Sequence, residues 1–327
     1  MTSSPRLARV AIAVLAVALF AAPVMAQTKK KKPPPPPPPA SAAATSSGDV
    51  DVAYGAFQRG YYITAFTEAT RRAAQNDPQA MTLLGELYAN GYGIGRDDAK
   101  AAEWYKLAAA RGDRDAMFAL AMFNFDGRAG PRNKDEGARL LESAAKLGHP
   151  AAAYDLGLLY LQGQMLPRDV DRAGQLFRIA AKQGNPEAEY ALATMYKEGR
   201  GIPKDPVEAA RLMGDAAIAD NLDAMVEFAI DKFNGTGTTK DESAGAQLML
   251  KAAQRGSPIA QNRMARILSA GRGMAANPTE AIKWHIISKT DGSGDPEMDE
   301  YAAKQTPEVR AEAEKKAKAW LSTQPPR

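Results

Sequence analysis

The chain repeats itself six times at a period of 36 residues, with no insertion or deletion between Gln79 and Gly294. The alanine that opens each block stands at Ala80, Ala116, Ala152, Ala188, Ala224 and Ala260. A glycine follows eleven residues later, at Gly91, Gly127, Gly163, Gly199, Gly235 and Gly271. A unit of this length cannot bury its apolar face alone, so neighbouring units must stack to make a continuous core. The expectation is a quasi-one-dimensional array with an extended surface, the kind that commonly meets other macromolecules.

The first full unit, residues 79–114, shows how each block folds. Ala80, Leu84, Leu87 and Tyr88 recur at helical spacing and predict a first helix with one apolar face. Gly85 lies on it, and its counterparts Ala121, Gly157, Ala193, Ala229 and Ala265 are all small, so a second helix can approach closely. The turn from Gly91 to Arg96 carries glycines that tolerate positive φ. Asp97 then shares its place with Asn133, Asp169, Asp205, Asp241 and Asn277, residue types suited to a turn or a helix N-cap. A second helix carries Ala101, Trp104, Tyr105, Ala108 and Ala109 and ends at Gly112, as later ones end at Gly148, Gly184 and Gly256. Asp220 interrupts that glycine series and predicts a different exit at its junction.

The ends read as degenerate units. Ala65, Ala73 and Asp77 match Ala101, Ala109 and Asp113 in phase, with a shorter connection over Phe57 to Tyr61. Near the C-terminus, Ala317, Trp320 and Leu321 match Ala101, Trp104 and Tyr105, and Thr306-Pro307-Glu308 reads as an N-cap and first turn. Five segments follow: a leader (1–26), a linker (27–48), a degenerate capping unit (49–78), six repeats (79–294), and degenerate capping helices with a tail (295–327).

The combination of Ala80, Leu84-Gly85, Leu87-Tyr88, Gly91, Gly93, Asp97, Lys100-Ala101, Trp104-Tyr105, Ala108-Ala109 and Gly112 resembles the Sel1-like repeat, a relative of the tetratricopeptide repeat. Departures are local: Ala129 and Met165 replace the second turn glycine, and His285 stands where the family prefers tyrosine. The resemblance implies an all-α, right-handed solenoid of helix–loop–helix units. It also implies a non-catalytic adaptor or regulator whose first helices line a concave face.

Met1 to Ala26 has the form of a secretory signal peptide, with Arg6 and Arg9 before an apolar stretch from Val10 to Ala22 that is too short to span a membrane. Cleavage after Ala26 predicts a periplasmic protein beginning at Gln27. Lys29, Lys30, Lys31 and Lys32 precede seven prolines, Pro33 to Pro39, and residues 27–48 hold nothing able to build a core. That composition suits an extended, disordered spacer, whose four lysines are candidates for weak contact with anionic lipid or cell wall. The formal charge is +4; without Arg6 and Arg9 it is +2, and four positive charges lie in the spacer. The repeat body is therefore near neutral to slightly acidic, which argues against nucleic acid as a partner. No cysteine occurs, which excludes disulfides, thiolate metal sites and a cysteine-linked lipid anchor.

Catalytic patterns are weak. His149 and His285 are the only histidines and belong to different units. His149 reads as a solvated turn residue and His285 as a packing residue in a tyrosine position. The glycine turn lacks the Lys-Ser/Thr pair of a phosphate-binding loop and joins two helices. Ser143-Ala144-Ala145-Lys146 matches the S-x-x-K of penicillin-recognising serine enzymes, but the companion S-D-N and K-T-G elements are missing. The sequence predicts no enzyme, cofactor or metal. A β-lactam-binding or hydrolysing envelope protein and a wall-associated structural protein stand as alternatives.

The expected partner is an envelope or periplasmic protein bound on the concave face. Its candidate contacts lie two, six and nine residues after each repeat alanine. They are Phe118, Met122, Phe125, Tyr154, Leu158, Leu161, Tyr190, Val226, Ile230 and Phe233. Thr82 and Glu86 at one end, and Asn262 and Arg266 at the other, make the flanks polar. An apolar groove of this kind suits an amphipathic helix or an extended peptide. A stripe at helical spacing also serves to pack neighbouring units. Phe125, Leu161 and Phe233 are the members that packing explains least easily.

Overall fold

A computed structural model describes residues 52–323. The leader, the spacer with Lys29 to Lys32, residues 49–51 and residues 324–327 lie outside the described residues. Among the described residues there are sixteen helices and no strand. The first pair, α1 (Val52–Gln58) and α2 (Tyr62–Ala73), forms the N-terminal cap. Six hairpins follow: α3 (Pro78–Asn90) with α4 (Asp98–Ala109), α5 (Arg114–Asp126) with α6 (Lys134–Lys146), and α7 (Pro150–Gln162) with α8 (Val170–Ala181). The second three are α9 (Pro186–Glu198) with α10 (Pro206–Ile218), α11 (Leu222–Asn234) with α12 (Glu242–Gln254), and α13 (Pro258–Ala270) with α14 (Pro278–Thr290). α15 (Pro296–Ala303) and α16 (Pro307–Thr323) close the array. Each helix packs on its hairpin partner, and each second helix packs on the first helix of the next unit. The molecule is a right-handed α-solenoid.

Local chemistry sets these boundaries. Every first helix of the six units ends on its repeat glycine in the left-handed region, from φ 66° at Gly271 to 72° at Gly199. A side chain there would strain the backbone, which explains a glycine at each of the six positions. The second helices open on capping side chains: Asp97 accepts from the Lys100 N–H at 3.0 Å, Asp169 from Arg172 at 2.9 Å and Asp241 from Ala244 at 2.9 Å. The loop between the helices closes on one recurrent bond, from the Asp97 N–H to the Tyr88 carbonyl at 3.0 Å, with Asp169 to Tyr160 and Asp205 to Tyr196 repeating it. Asp220 interrupts the glycine series without the different exit expected there: the Asn221 N–H reaches the Ala216 carbonyl at 2.9 Å, as the Asp113 N–H reaches that of Ala108 at 3.2 Å, because Asp220 takes the left-handed conformation of the glycines it replaces. It adopts φ 70° itself, and its carboxylate receives Lys251 at 3.3 Å and Arg255.

Within a unit the interface is fitted by exchange of bulk. A Cβ added at Gly157 would stand 2.6 Å from the Phe177 ring, and one at Gly85 would stand 2.5 Å from Tyr105. Where the partner on the second helix is aliphatic, as at Leu141, Met213 and Met249, the first helix carries alanine at that place (Ala121, Ala193, Ala229). Interiors packed to crystal-like density leave no other solution. The last interface is sealed by α16, which lies on α14 with Trp320 edge-on to Trp284 at 5.9 Å and with Ala313 and Ala317 fully buried. The predicted cap at Thr306 forms: its Oγ1 accepts from the Val309 N–H at 3.4 Å.

Candidate functional site

The first helices α3, α5, α7, α9, α11 and α13 bring side chains from positions two, six and nine of each unit to one face. Phe118, Met122, Tyr154, Leu158, Tyr190 and Ile230 lie on it half-buried, packed against the core on one side. Phe118 stacks on His149 at 4.5 Å, and Tyr154 rests at a tilt on Phe177 at 5.7 Å. Leu161 is half-buried against the same core.

Of the expected contacts Val226 belongs to the interior, and the half-buried Phe125 and Phe233 turn their rings onto their own hairpins. Val226 is 5% exposed and lies within the core cluster. It is the short member of a position held elsewhere by Phe118, Tyr154 and Tyr190, and it does not reach the surface. Phe125 turns its ring against Gly137 of its own hairpin, where a Cβ would stand 2.8 Å away. Phe233 does the same against Gly245, at 2.7 Å, and carries the Arg272 guanidinium 5.8 Å from its ring centroid. A signal for this exists in the sequence: the two units with phenylalanine at position nine are the two with glycine twelve residues later, and the other four carry alanine there.

Thr82, Asn262 and Arg266 of the polar flanks are engaged internally. Thr82 Oγ1 donates to the capping carboxylate of Asp113 at 2.9 Å. Arg266 binds Asp295 through two nitrogens at 2.5 and 2.9 Å, and Asn262 donates to the Ser293 carbonyl at 3.3 Å. His149 is not a solvated turn residue. Its Nδ1 accepts the Ala152 N–H at 3.1 Å, so it caps α7 in the place where Asp113, Asn185, Asn221 and Ser257 cap other units. Nδ1 as acceptor requires the proton on Nε2, which stands 3.5 Å from Asp115. Burial, with Arg114 nearby, holds the imidazole down to about 4. His285 is buried at its packing position, with Nε2 2.8 Å from Asp299.

Charge on this face is unevenly paired. Lys197 reaches from α9 to α11, 2.6 Å from Glu227 and 3.7 Å from Asp231. Burial opposes its charge, but the two carboxylates outweigh burial and raise its pKa. Asp155 on α7 and Glu86 on α3 are raised by burial, Asp155 to about 6. Glu86 is one of the expected polar flanks, whereas Asp155 escaped the sequence reading because it falls at position three, outside the stripe. That place varies freely, with Leu83, Ala119, Ala191, Glu227 and Arg263 in the other units, so the repeat pattern alone does not single Asp155 out. Ser143 and Lys146 form no reacting pair: the Ser143 hydroxyl donates to the Arg139 carbonyl within its helix at 3.0 Å, and Lys146 pairs with Glu142 at 3.4 Å. Among the described residues no group of three or more His, Asp or Glu side chains converges on a point that could hold a metal.

A stack of capped helix hairpins with a continuous face of first helices defines a repeat solenoid of the tetratricopeptide-like class. The Sel1 repeat profile matches six stretches of the chain, residues 78–113, 114–149, 150–185, 186–221, 223–257 and 258–292. The chain belongs to the Sel1 repeat family. Among solved structures it is similar to a Sel1 repeat protein from Oxalobacter formigenes, with 25% identity and a TM-score of 0.62 over 73% of this chain and 97% of that one. It is also similar in fold to a protective antigen present in uropathogenic Escherichia coli strains displaying an SLR fold. Identity there is 23% and the TM-score 0.54, over 80% of this chain and 64% of that one. No curated protein matches the chain.

Proposed function

We propose that the protein is a non-catalytic scaffold of the bacterial cell envelope that holds a protein or peptide partner on its concave, first-helix face. One observation carries the reading: Phe118, Met122, Tyr154, Leu158, Tyr190 and Ile230 run along four consecutive units and keep part of their apolar surface uncovered. A continuous apolar strip rimmed by polar groups is what a bound polypeptide segment needs. The engagement of His149, His285, Ser143 and Lys146 in caps, packing and surface pairs supports a role without catalysis. The leader-like Met1 to Ala26 supports export, and the Lys29 to Lys32 and proline run supports a tether that adds weak wall or lipid contact.

Crosslinking in cells followed by capture from the envelope fraction tests this. The wild type should retain a discrete protein that the variant Leu158→Ala/Ile230→Ala loses, with unchanged helical signal and an intact melting transition in the variant. Equal capture by both proteins would move binding off this face. Mass spectrometry of the mature N-terminus should begin at Gln27; an uncleaved chain in the cytosolic fraction would end the envelope assignment.

A further inference from the structure

The fourth and fifth units contain a worked example of how this face treats a cation. Position nine of the fourth unit, Lys197, inserts its ammonium between two carboxylates of the fifth, and the position-three member of that pair, Glu227, lies 2.6 Å away. The equivalent two positions at the junction of the second and third units are differently filled. There position three is Asp155, but position nine is Phe125, whose ring is turned onto Gly137. The acceptor is present and the donor is not. Among the described residues Asp155 makes no hydrogen bond and no ion pair, although it is well enough buried for its charge to be disfavoured. A half-buried carboxylate with no partner is costly, and a cation placed against it recovers that cost.

The surroundings fit a long cationic side chain. Met122, Tyr154 and Leu158 provide apolar surface along which the methylene stem of lysine or arginine can lie while its charged head reaches a carboxylate. The first helices of units one, two, four and five add the carboxylates of Glu86, Asp115, Glu187 and Asp223; of the cations among them, Arg114 lies 3.7 Å from Asp115, Lys232 is 3.1 Å from Thr238, and Lys197 is held by its own partners. The exposed positive groups of this face, Arg263 and Arg266, stand in the sixth unit, and Arg266 is bound by Asp295 and Glu297.

We propose that Asp155 receives a lysine or arginine side chain of a bound polypeptide, in the place that Lys197 fills at the fourth-to-fifth junction. The proposal rests on the first-helix face being the binding surface and gives the partner its chemistry: an apolar segment bearing a cation.

The test uses the full chain with Lys29 to Lys32 replaced by serine, which removes the cations the protein itself brings. An end-blocked random library of 12-residue peptides is selected on it, and the winning peptide is resynthesised with its lysine or arginine changed to glutamine. The selected peptides should carry a cation flanked by apolar residues, and the glutamine peptide should bind about tenfold more weakly. Asp155→Asn should lose the preference for the cationic peptide, while Asp171→Asn, the same charge change on the second helix of that unit, should keep it. Loss of the preference in both variants would mean diffuse attraction and overturn the proposal. So would selected peptides that bind through Leu158 and Ile230 but carry no cation, leaving the groove reading in place. No selected peptide at all would overturn both.

Discussion

At the residue scale, two titrating groups on α7, its N-cap His149 and Asp155, work against each other. His149 is held at about 4, below its ordinary 6.5. Its contribution is complete above 6.5 and is lost as pH falls through 4, because the imidazolium cannot accept the Ala152 N–H. Asp155 is raised from 3.8 to about 6. Its contribution is complete below 3.8 and is lost as pH rises through 6. Asp155→Asn is therefore expected to be more stable than the wild type at pH 7, by about 1–2 kcal/mol after allowance for partial exposure. It should show no gain at pH 3.5 in denaturant titrations at the two pH values. His149→Asn keeps a capping side chain of the type found at Asn185 and Asn221 but gives up the stacking on Phe118. It should lie within about 1 kcal/mol of the wild type at pH 7.5, and thermal melts should show its deficit shrinking or reversing by pH 5. A deficit that grows on acidification would contradict the role of His149 as a neutral cap.

At the scale of elements, the sequence was most informative wherever one backbone geometry recurs. The left-handed glycines, the Asp and Asn caps and the N-cap at Thr306 were all legible, because each answers a local demand that few residue types can meet. The proposed binding stripe was less legible. A position two, six or nine residues into a helix points toward a face, but whether its side chain reaches solvent depends on the partner helix. Phe125 and Phe233 settle onto Gly137 and Gly245, and Val226 is too short to emerge. Single-unit periodicity does not contain that information; comparison of units within the chain does. The C-terminal element has its own consequence. Removing residues 307–327 uncovers Trp284 and the surface of α14 that lies beneath Trp320, Ala313 and Ala317 of α16. The truncated chain is expected to melt at lower temperature and to bind an apolar dye such as ANS, since terminal units exist to cover exposed core. A full-length-like melt with no dye binding would show that α16 is dispensable.

At the scale of the molecule, each unit contacts chiefly its neighbours, so stability is distributed along the array. Deletion of residues 150–185, one whole period, joins Gly148 and His149 to Pro186 in the phase that Gly184 and Asn185 occupy now. That shortened protein should fold with a cooperative melt, because the new junction repeats an existing one. Deletion of residues 150–167, half a period, places a second helix where a first helix is required, and its circular dichroism should show a broad, early transition. Comparable melts for the two deletions would refute a register-dependent core.

The uninterrupted period has a further meaning for whatever lies along the inner face. Helices in contact sit about 8–10 Å apart, and an extended polypeptide advances about 3.3 Å per residue. Under the proposed mode of binding, rungs at a spacing of that order would meet about every third residue of an extended ligand. On the proposed binding face neighbouring rungs present different letters, Phe118, Tyr154 and Tyr190 in turn, and then fall silent where Val226 stays buried, so a bound segment would meet a ruler whose graduations are evenly spaced but individually marked.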